Sequence, residues 1–435
     1  MEELIVDVSI RSDYVGSLMW DKKNEVALFQ YDDKFVRTGL DLSPVVMPLR
    51  NSSGVVYQFL QNRNNCFMGL PGLVADALPD AFGNQIINEW FASRGLAVER
   101  VTPLDRLCYI GKRAMGALEF EPSRAIPELD RSSQIHIDEL TELAAEVFKN
   151  RIEFRSKLLC QDQKILDILK VGTSAGGAKP KAVIAYNELT NEVRSGQVAA
   201  PKGFTYWLLK FDGGMYEEHL LVTDNPKGIG NIEYAYYLMA KDAGIDMMEC
   251  RLLNESDSSH FMTKRFDRTD SGEKLHVQTL AGIVHYDRDR RYAYEQAFGL
   301  MRQMQLPYIQ QEEFYRRMVF NVIARNHDDH TKNHSFIMDN NGRWSLAPAY
   351  DVCYSYNPQG RWTNRHQMSV NGKQDDFTCG DLLTVAERMG IKRGKEIVEK
   401  VIDAVSNWDK FAIEAGVKAK HVKEIKTNFR KIPII

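Results

Sequence analysis

Short β-type runs crowd the first 60 residues, whereas helix-period runs dominate the chain from about residue 290 onward. "LIVDVSI", "VGSLMW", "EVALFQY" and "VVYQFL" are rich in Val, Ile, Leu and aromatics and are broken by Asp, Asn, Gly and Ser, as strands are. Strands gathered first and helices gathered later do not alternate as a doubly wound parallel sheet requires. The order predicts an α+β protein of lobes instead.

Between these ends the texture changes several times. "LVADALPDAFGNQIINEWFASRG" carries apolar residues at helical spacing and stops at Gly95. In 138–159, Leu140, Leu143, Ala144, Val147 and Phe148 form one stripe that reads as core. A Gly-rich segment, "VGTSAGGAKPK", then runs into an apolar strand. "TYWLLKF" (205–211) is a strand, "NIEYAYYLMAKDAGI" (231–245) a buried helix and "HFMTKRFDR" (260–268) a further strand. A hairpin is expected near 335–350, its turn marked by Asn341-Gly342. With 435 residues, two or three domains are expected; the boundaries drawn are 1–135, 136–268 and 269–435.

Composition excludes rather than identifies. A net charge of −3 argues against a chain-wide polyanion binder. Six cysteines without a C-x-x-C pair suit thiols in a reducing compartment better than disulfides or zinc. The start "MEELIVDVSI" lacks the basic region of a signal peptide. No run approaches the roughly 18 apolar residues of a membrane span, so a cytoplasmic, membrane-free protein is expected. The basic segment "KAKHVKEIKTNFRK" reads as a solvated helix face, with contact to nucleic acid or an acidic partner as the sharper alternative.

The densest chemistry lies in "RNHDDHTKNHSF" (325–336), with three histidines and two aspartates between His327 and His334. One reading is a metal-dependent phosphohydrolase with His327 and Asp328 as ligands, though the remaining histidines are scattered. The other reading uses Asp328 and Asn333, which stand in a D-x-x-x-x-N spacing. A protein-kinase catalytic loop has that spacing: the Asp accepts the hydroxyl proton, and the Asn holds magnesium. The hairpin that follows returns Asp351 toward the loop, and hard Asp and Asn oxygens suit Mg²⁺.

Upstream, Gly172 and Gly177 nearly match a Walker A loop, but Ala178 stands where its lysine belongs. A P-loop ATPase is disfavoured. The glycines, Gly176 and Gly177 among them, could still bring backbone N–H groups to phosphates, with Lys179 and Lys181 adding charge. Lys210 inside an apolar strand is costly unless paired, and a kinase uses such a strand lysine to hold phosphates. Its alternative is an edge lysine with its stem on apolar surface. Glu233 is a candidate helix-borne partner for it.

Taken in order, GTSAGGAKPK, WLLKF, KRFDR, DDHTKN and APAYD resemble the HipA family of bacterial serine/threonine kinases, toxins of type II toxin–antitoxin modules. The runs "VGSLMWDKKNEVALFQYDDKFVRTG" and "GLPGLVADALPDAFGNQII" resemble that family's N-terminal subdomain, so the similarity covers nearly the whole chain. The resemblance implies a two-lobed, protein-kinase-like fold with a small β-rich N-terminal subdomain and a mostly helical C-terminal lobe. It implies ATP and Mg²⁺ as cofactors, Asp328 as catalytic base, Asn333 and Asp351 on magnesium, and Lys210 on the ATP phosphates. His330 would approach the phosphates. Lys264, Arg265 and Phe266 would form the adenine-binding hinge, with Gln278 and Tyr350 as further nucleotide contacts. Ser174 would be the autophosphorylation site that shuts off ATP binding, since a dianion there repels the β/γ-phosphates. The implied partners are a small helix-turn-helix antitoxin of the HipB type, through which DNA is reached, and a protein substrate, in the family often an aminoacyl-tRNA synthetase. The alternative is a catalytically silent binding partner and co-repressor of such an antitoxin. One departure is Asp329, which puts a second carboxylate beside the phosphates.

Overall fold

The computed structural model describes residues 4–79, 81–149, 163–172, 180–212, 228–255 and 258–433, with the backbone alone at 145–149 and 163–165. Ser174, Gly176, Gly177 and Lys179, the side chains of Val147 and Phe148, and the continuation of their stripe to 159 lie outside the described residues. The chain divides into two compact units. One comprises Met1–Gly214, Met262–Asp287 and Ile337–Arg343; the other comprises Met215–Phe261, Arg288–Phe336 and Trp344–Ile435.

The first unit holds the predicted β-rich opening. Strands β1 (Ile5–Ile10), β2 (Asp13–Asp21), β3 (Val26–Tyr31), β4 (Val56–Gln58) and β5 (Leu118–Glu121) form one sheet in the order β4-β3-β2-β1-β5. In β1, Val6, Val8 and Ile10 are buried while Ile5 and Asp7 are exposed, the period-2 alternation of a strand with one face on the core. The helix-patterned run after residue 70 is not continuous. It gives Gly72–Ala75 and then Ala81–Ser93, with Pro79 between them. Proline lacks the N–H that a helix interior needs, so the apolar period outlasts the helix.

A second sheet in this unit contains β6 (Lys181–Asn187), β7 (Glu192–Ser195) and β8 (Thr205–Lys210) in the order β7-β6-β8. The apolar centre of β6, Ala182 to Ala185, is entirely buried. Helix Ile137–Lys149 buries Leu140, Leu143 and Ala144, as their spacing predicts. The expected strand 260–268 is shorter: Ser258–Lys264 is extended, and the chain then leaves the strand, with the Arg265 N–H donating to the Tyr206 carbonyl at 2.8 Å.

The second unit is mainly helical, with helices at Ile229–Asp242, Tyr294–Gln303, Tyr308–Ile323, Cys379–Arg388, Gly394–Ser406, Trp408–Glu414 and Ala419–Asn428. Helix Tyr308–Ile323 is its spine, burying Phe314, Tyr315, Met318, Val319, Phe320, Val322 and Ile323. Tyr236 packs its ring on Phe320, Trp408 and Phe429 and donates its hydroxyl to the Ala324 carbonyl at 2.6 Å. That bond satisfies a buried phenol at the end of the spine helix, where a carbonyl lacks an intrahelical partner. The hairpin also forms, its tip Ile337–Arg343 being the segment counted in the first unit: Ser335–Met338 and Trp344–Leu346 flank a turn in which Gly342 has φ +79° and the Asp339 N–H donates to the Arg343 carbonyl at 3.0 Å. Among the described residues no helix is long and apolar enough to cross a membrane.

Candidate active site

The spine helix ends at Ile323, and Arg325 takes φ +57°, a left-handed turn that starts the histidine-rich loop. Asp328 is the open residue of the pair, with 40% of its side chain exposed. Its backbone N–H donates to Ser355 Oγ at 3.0 Å, and its carbonyl accepts from Asn333 Nδ2 at 2.7 Å. The five-residue spacing of D-x-x-x-x-N therefore closes on itself, with Thr331–Asn333 forming a single 3-10 turn. With Nδ2 occupied by the loop, Oδ1 is the atom through which Asn333 could meet a cation.

The returning segment brings Asp351 to the same place. Arg317 Nη1 donates to the Ala347 carbonyl at 2.8 Å, and the Ala349 N–H donates to the Asp246 carbonyl at 2.8 Å. Two residues further on, Asp351 has φ +52°, a backbone region that Asp tolerates better than most residues. Tyr350 donates its hydroxyl to the Lys332 carbonyl at 2.6 Å, tying the segment to the loop. Asn333, Tyr350 and Asp351 line one small pocket together with Asn326, Asp329 and His334. His330 stands beside it, with Nε2 3.7 Å from Asp328 Oδ1.

The other two histidines of the cluster are structural. His327 is fully buried, bonds the Thr363 carbonyl through Nδ1 at 3.0 Å and packs at a tilt on His366, ring centroids 4.1 Å apart. Burial, reinforced by His366, pushes its pKa down to about 2. His334 packs edge-on against Tyr294 and Phe314, and burial lowers it to about 4. Among the described residues no three His, Cys, Asp or Glu side chains gather as a metal-dependent phosphohydrolase would need.

Asp329 does not sit as its place in the sequence suggests. Instead of an open charge beside Asp328, it is 1% exposed. Its carboxylate accepts from Tyr294 Oη at 2.8 Å, His366 Nδ1 at 2.9 Å and the Gln367 N–H at 2.7 Å. Burial alone would raise its pKa; His366 and these hydrogen bonds more than offset that and hold it below the usual carboxylate range. Tyr294, Ser355 and His366 escaped the sequence reading because no local pattern links them to the loop.

In the first unit, Lys181 and Lys210 are direct cross-strand partners. Opposite residues of an antiparallel pair project from one face, so the two lysines share one side of the sheet. Lys181 is 3% exposed and Lys210 half-buried. Lys264 pairs with Asp270 at 2.7 Å. Phe266 lies just past the strand, between Arg265 and Asp267, whose side chains form a buried ion pair. Gln278 is fully buried, its amide fitting between the Leu42 carbonyl (3.1 Å) and the Leu73 N–H (3.2 Å), so it serves the packing of this unit. Glu233 is buried on helix Ile229–Asp242 of the second unit.

Comparison with known proteins adds the following. A family model described as HipA-like C-terminal domain matches residues 173–408, and one described as HipA N-terminal domain matches 6–121. A Haemophilus influenzae protein named "Putative kinase" is 22% identical over 233 residues, 46% of this chain and 68% of that protein. "Putative kinase Y4dM" of Sinorhizobium fredii is 25% identical over 185 residues, 39% of this chain and 42% of that protein, less than half its length. A solved Shewanella oneidensis complex of HipA, HipB and operator DNA superposes with a TM-score of 0.67 at 17% identity, covering 97% of this chain and 95% of that one. At that identity the likeness is one of fold, here the α+β, kinase-like fold expected from the sequence.

Proposed function

Since this chain belongs to the HipA family, we propose that it is an ATP- and Mg²⁺-dependent protein serine/threonine kinase that phosphorylates a protein target and, at Ser174, itself. The observation that carries this reading is the closure of the Asp328–Asn333 loop at 2.7 Å, together with a pocket that Asn333 and Asp351 both line. The Asp328 carboxylate is open to an approaching hydroxyl, and the pocket offers two oxygen donors of the hard type that Mg²⁺ accepts.

Asn333 and Asp351 fit magnesium by donor chemistry, and both belong to one pocket. The metal would supply charge neutralisation for phosphate oxygens. Asp328 would take the proton of the attacking hydroxyl, and His330 would add a donor toward the phosphates. Lys181 and Lys210, cross-strand partners on β6 and β8, would meet phosphate oxygens. Lys264 and Phe266 would flank the adenine, and Gly176 and Gly177 would cover the phosphates. Gln278 and Tyr350 would act by supporting these groups, given the bonds they make.

The wider reading keeps three parts, 1–135, 136–268 and 269–435, and a cytoplasmic protein. Its partners would be a small helix-turn-helix antitoxin of the HipB type, DNA through that antitoxin, and a protein substrate such as an aminoacyl-tRNA synthetase. The deciding experiment is intact-mass and peptide mass spectrometry after incubation with Mg-ATP, on wild type and Asp328→Ala. The expected outcome is one added phosphate on Ser174 in wild type only. Equal phosphate in both proteins would remove Asp328 as the base. If neither protein gains phosphate, thermal shift with ATP, with and without Mg²⁺, separates a kinase that acts only on its partner from a fold kept for binding.

A further inference from the structure

The Asp328 main chain and the Asp329 carboxylate are joined by a path that leaves the chain and comes back. The Asp328 N–H donates to Ser355 Oγ at 3.0 Å, and that hydroxyl donates to Asn326 Oδ1 at 2.9 Å. Asn326 Nδ2 donates to Asn321 Oδ1 at 2.9 Å, and Asn321 Nδ2 donates to Tyr294 Oη at 3.0 Å. Tyr294 then donates to Asp329 Oδ2 at 2.8 Å. Every link has a fixed sense. A backbone N–H can only donate and a carboxylate can only accept, so the two ends dictate how both asparagine amides and both hydroxyls must point. Chains of this kind strengthen each link by polarisation, and they do so only while the last acceptor remains. On its far side the same carboxylate accepts from His366 Nδ1 and the Gln367 N–H, which ties the ring to the segment that follows residue 361.

We propose that Asp329 is a positioning residue of the phosphotransfer site. Its buried carboxylate terminates a closed hydrogen-bond ring that fixes the main chain at Asp328, and so fixes where the Asp328 carboxylate points. The role rests on the reading of Asp328 as the catalytic base, but the ring itself does not. Asp329→Asn disturbs the ring with little change in shape. Tyr294 and His366 share Oδ2 while the Gln367 N–H meets Oδ1, so an amide must set its N–H₂ against a donor on one side or the other. The chain cannot reverse to meet the new N–H₂, because the Asp328 N–H cannot accept.

Two readouts test this on the full-length protein. The first is amide hydrogen exchange in Asp329→Asn against wild type. Exchange at Asp328 should quicken by about tenfold or more, with strand Ile5–Ile10 of the other unit unchanged. The second is steady-state kinetics per folded molecule. A loop displaced by a fraction of an ångström should lower kcat by about 10-fold to 100-fold and leave KM for ATP and the ATP-induced thermal shift within about twofold. Tyr294→Phe, which keeps the carboxylate, should give a smaller loss of the same kind, and the Tyr294→Phe/Asp329→Asn pair should be far from additive. Should Asp329→Asn fail to fold, Tyr294→Phe carries both measurements. Unchanged exchange at Asp328 overturns the proposal, and so does a wild-type kcat per folded molecule with only a lowered melting temperature. A wild type that transfers no phosphate to itself or to any protein would sink the kinase reading instead. The exchange comparison would then still decide whether Asp329 holds the loop.

Discussion

Asp267 in the first unit and Asp329 in the second are both buried, and both have pKa values held below the usual carboxylate range, but their surroundings differ in kind. Asp267 is met by two full charges: Arg265 Nε at 2.7 Å and Nη2 at 2.6 Å, and Arg268 Nη1 at 2.9 Å, with the Gly116 N–H at 2.7 Å. The guanidiniums spend their other protons on the Gly196, Gly116 and Ala114 carbonyls. Burial would raise the Asp267 carboxyl, but Arg265 and Arg268 lower it further than burial raises it. Asp329 is met by a phenol, an imidazole and a main-chain N–H. The first unit uses a buried ion cluster to fix the turn after strand Ser258–Lys264; the second uses directed hydrogen bonds to fix a loop. A charge cluster tolerates small shifts, because Coulomb energy changes slowly with distance. A directed ring does not, because hydrogen bonds weaken steeply with angle.

The strongest way to break this contrast is the same substitution at both sites. Asp267→Asn leaves two buried guanidiniums facing each other and should cost about 3–5 kcal/mol of folding stability. Asp329→Asn leaves directed donors unmatched rather than two guanidiniums face to face, and should cost about 1–3 kcal/mol. Urea denaturation of both variants checks the order; equal losses would erase the distinction drawn between the two regions.

Acid titration sharpens it further. His276 and His285 in the first unit and His327 in the second are buried neutral, lowered to about 4, about 4 and about 2, in each case chiefly by burial. A base with a lowered folded pKa stabilises the fold above its unfolded value of roughly 6.5, and that stability drains as pH falls toward the folded value, at up to about 1.4 kcal/mol per pH unit per histidine. The first losses should therefore fall between about pH 6.5 and 4. Asp267 and Asp329, lowered carboxylates, give stability that is full above about pH 4 and is lost only below it. Denaturant midpoints measured from pH 7 to 3 should show the histidine slope first. A flat profile down to pH 5 would mean that these histidines are not buried neutral.

The smallest effect belongs to Lys264→Ala. Its pair with Asp270 joins a side chain 24% exposed to one 81% exposed, so its loss should change stability by less than about 1 kcal/mol. If ATP affinity, read by thermal shift, falls in this variant while stability holds, Lys264 belongs to the nucleotide site and not to the packing of its unit.

The sequence by itself determined the local elements: the period-2 strand at Ile5–Ile10, the strand Thr205–Lys210 with its lysine, the Asn341-Gly342 turn, and the D-x-x-x-x-N loop that closes at 2.7 Å. Each depends on neighbours a few residues away, and strand periods, turn glycines and loop spacings are written at that range. Three features departed from the local reading. Pro79 cut a helix whose apolar period ran on, and strand Ser258–Lys264 ended early because the next residues went to a buried Arg–Asp–Arg cluster. The third was the division of labour in Asp328-Asp329, two identical side chains side by side. Only the tertiary structure could decide that one, because the groups that capture Asp329, Tyr294 and His366, stand 35 and 37 residues away. A carboxylate enters a protein interior only where donors from other segments already wait for it.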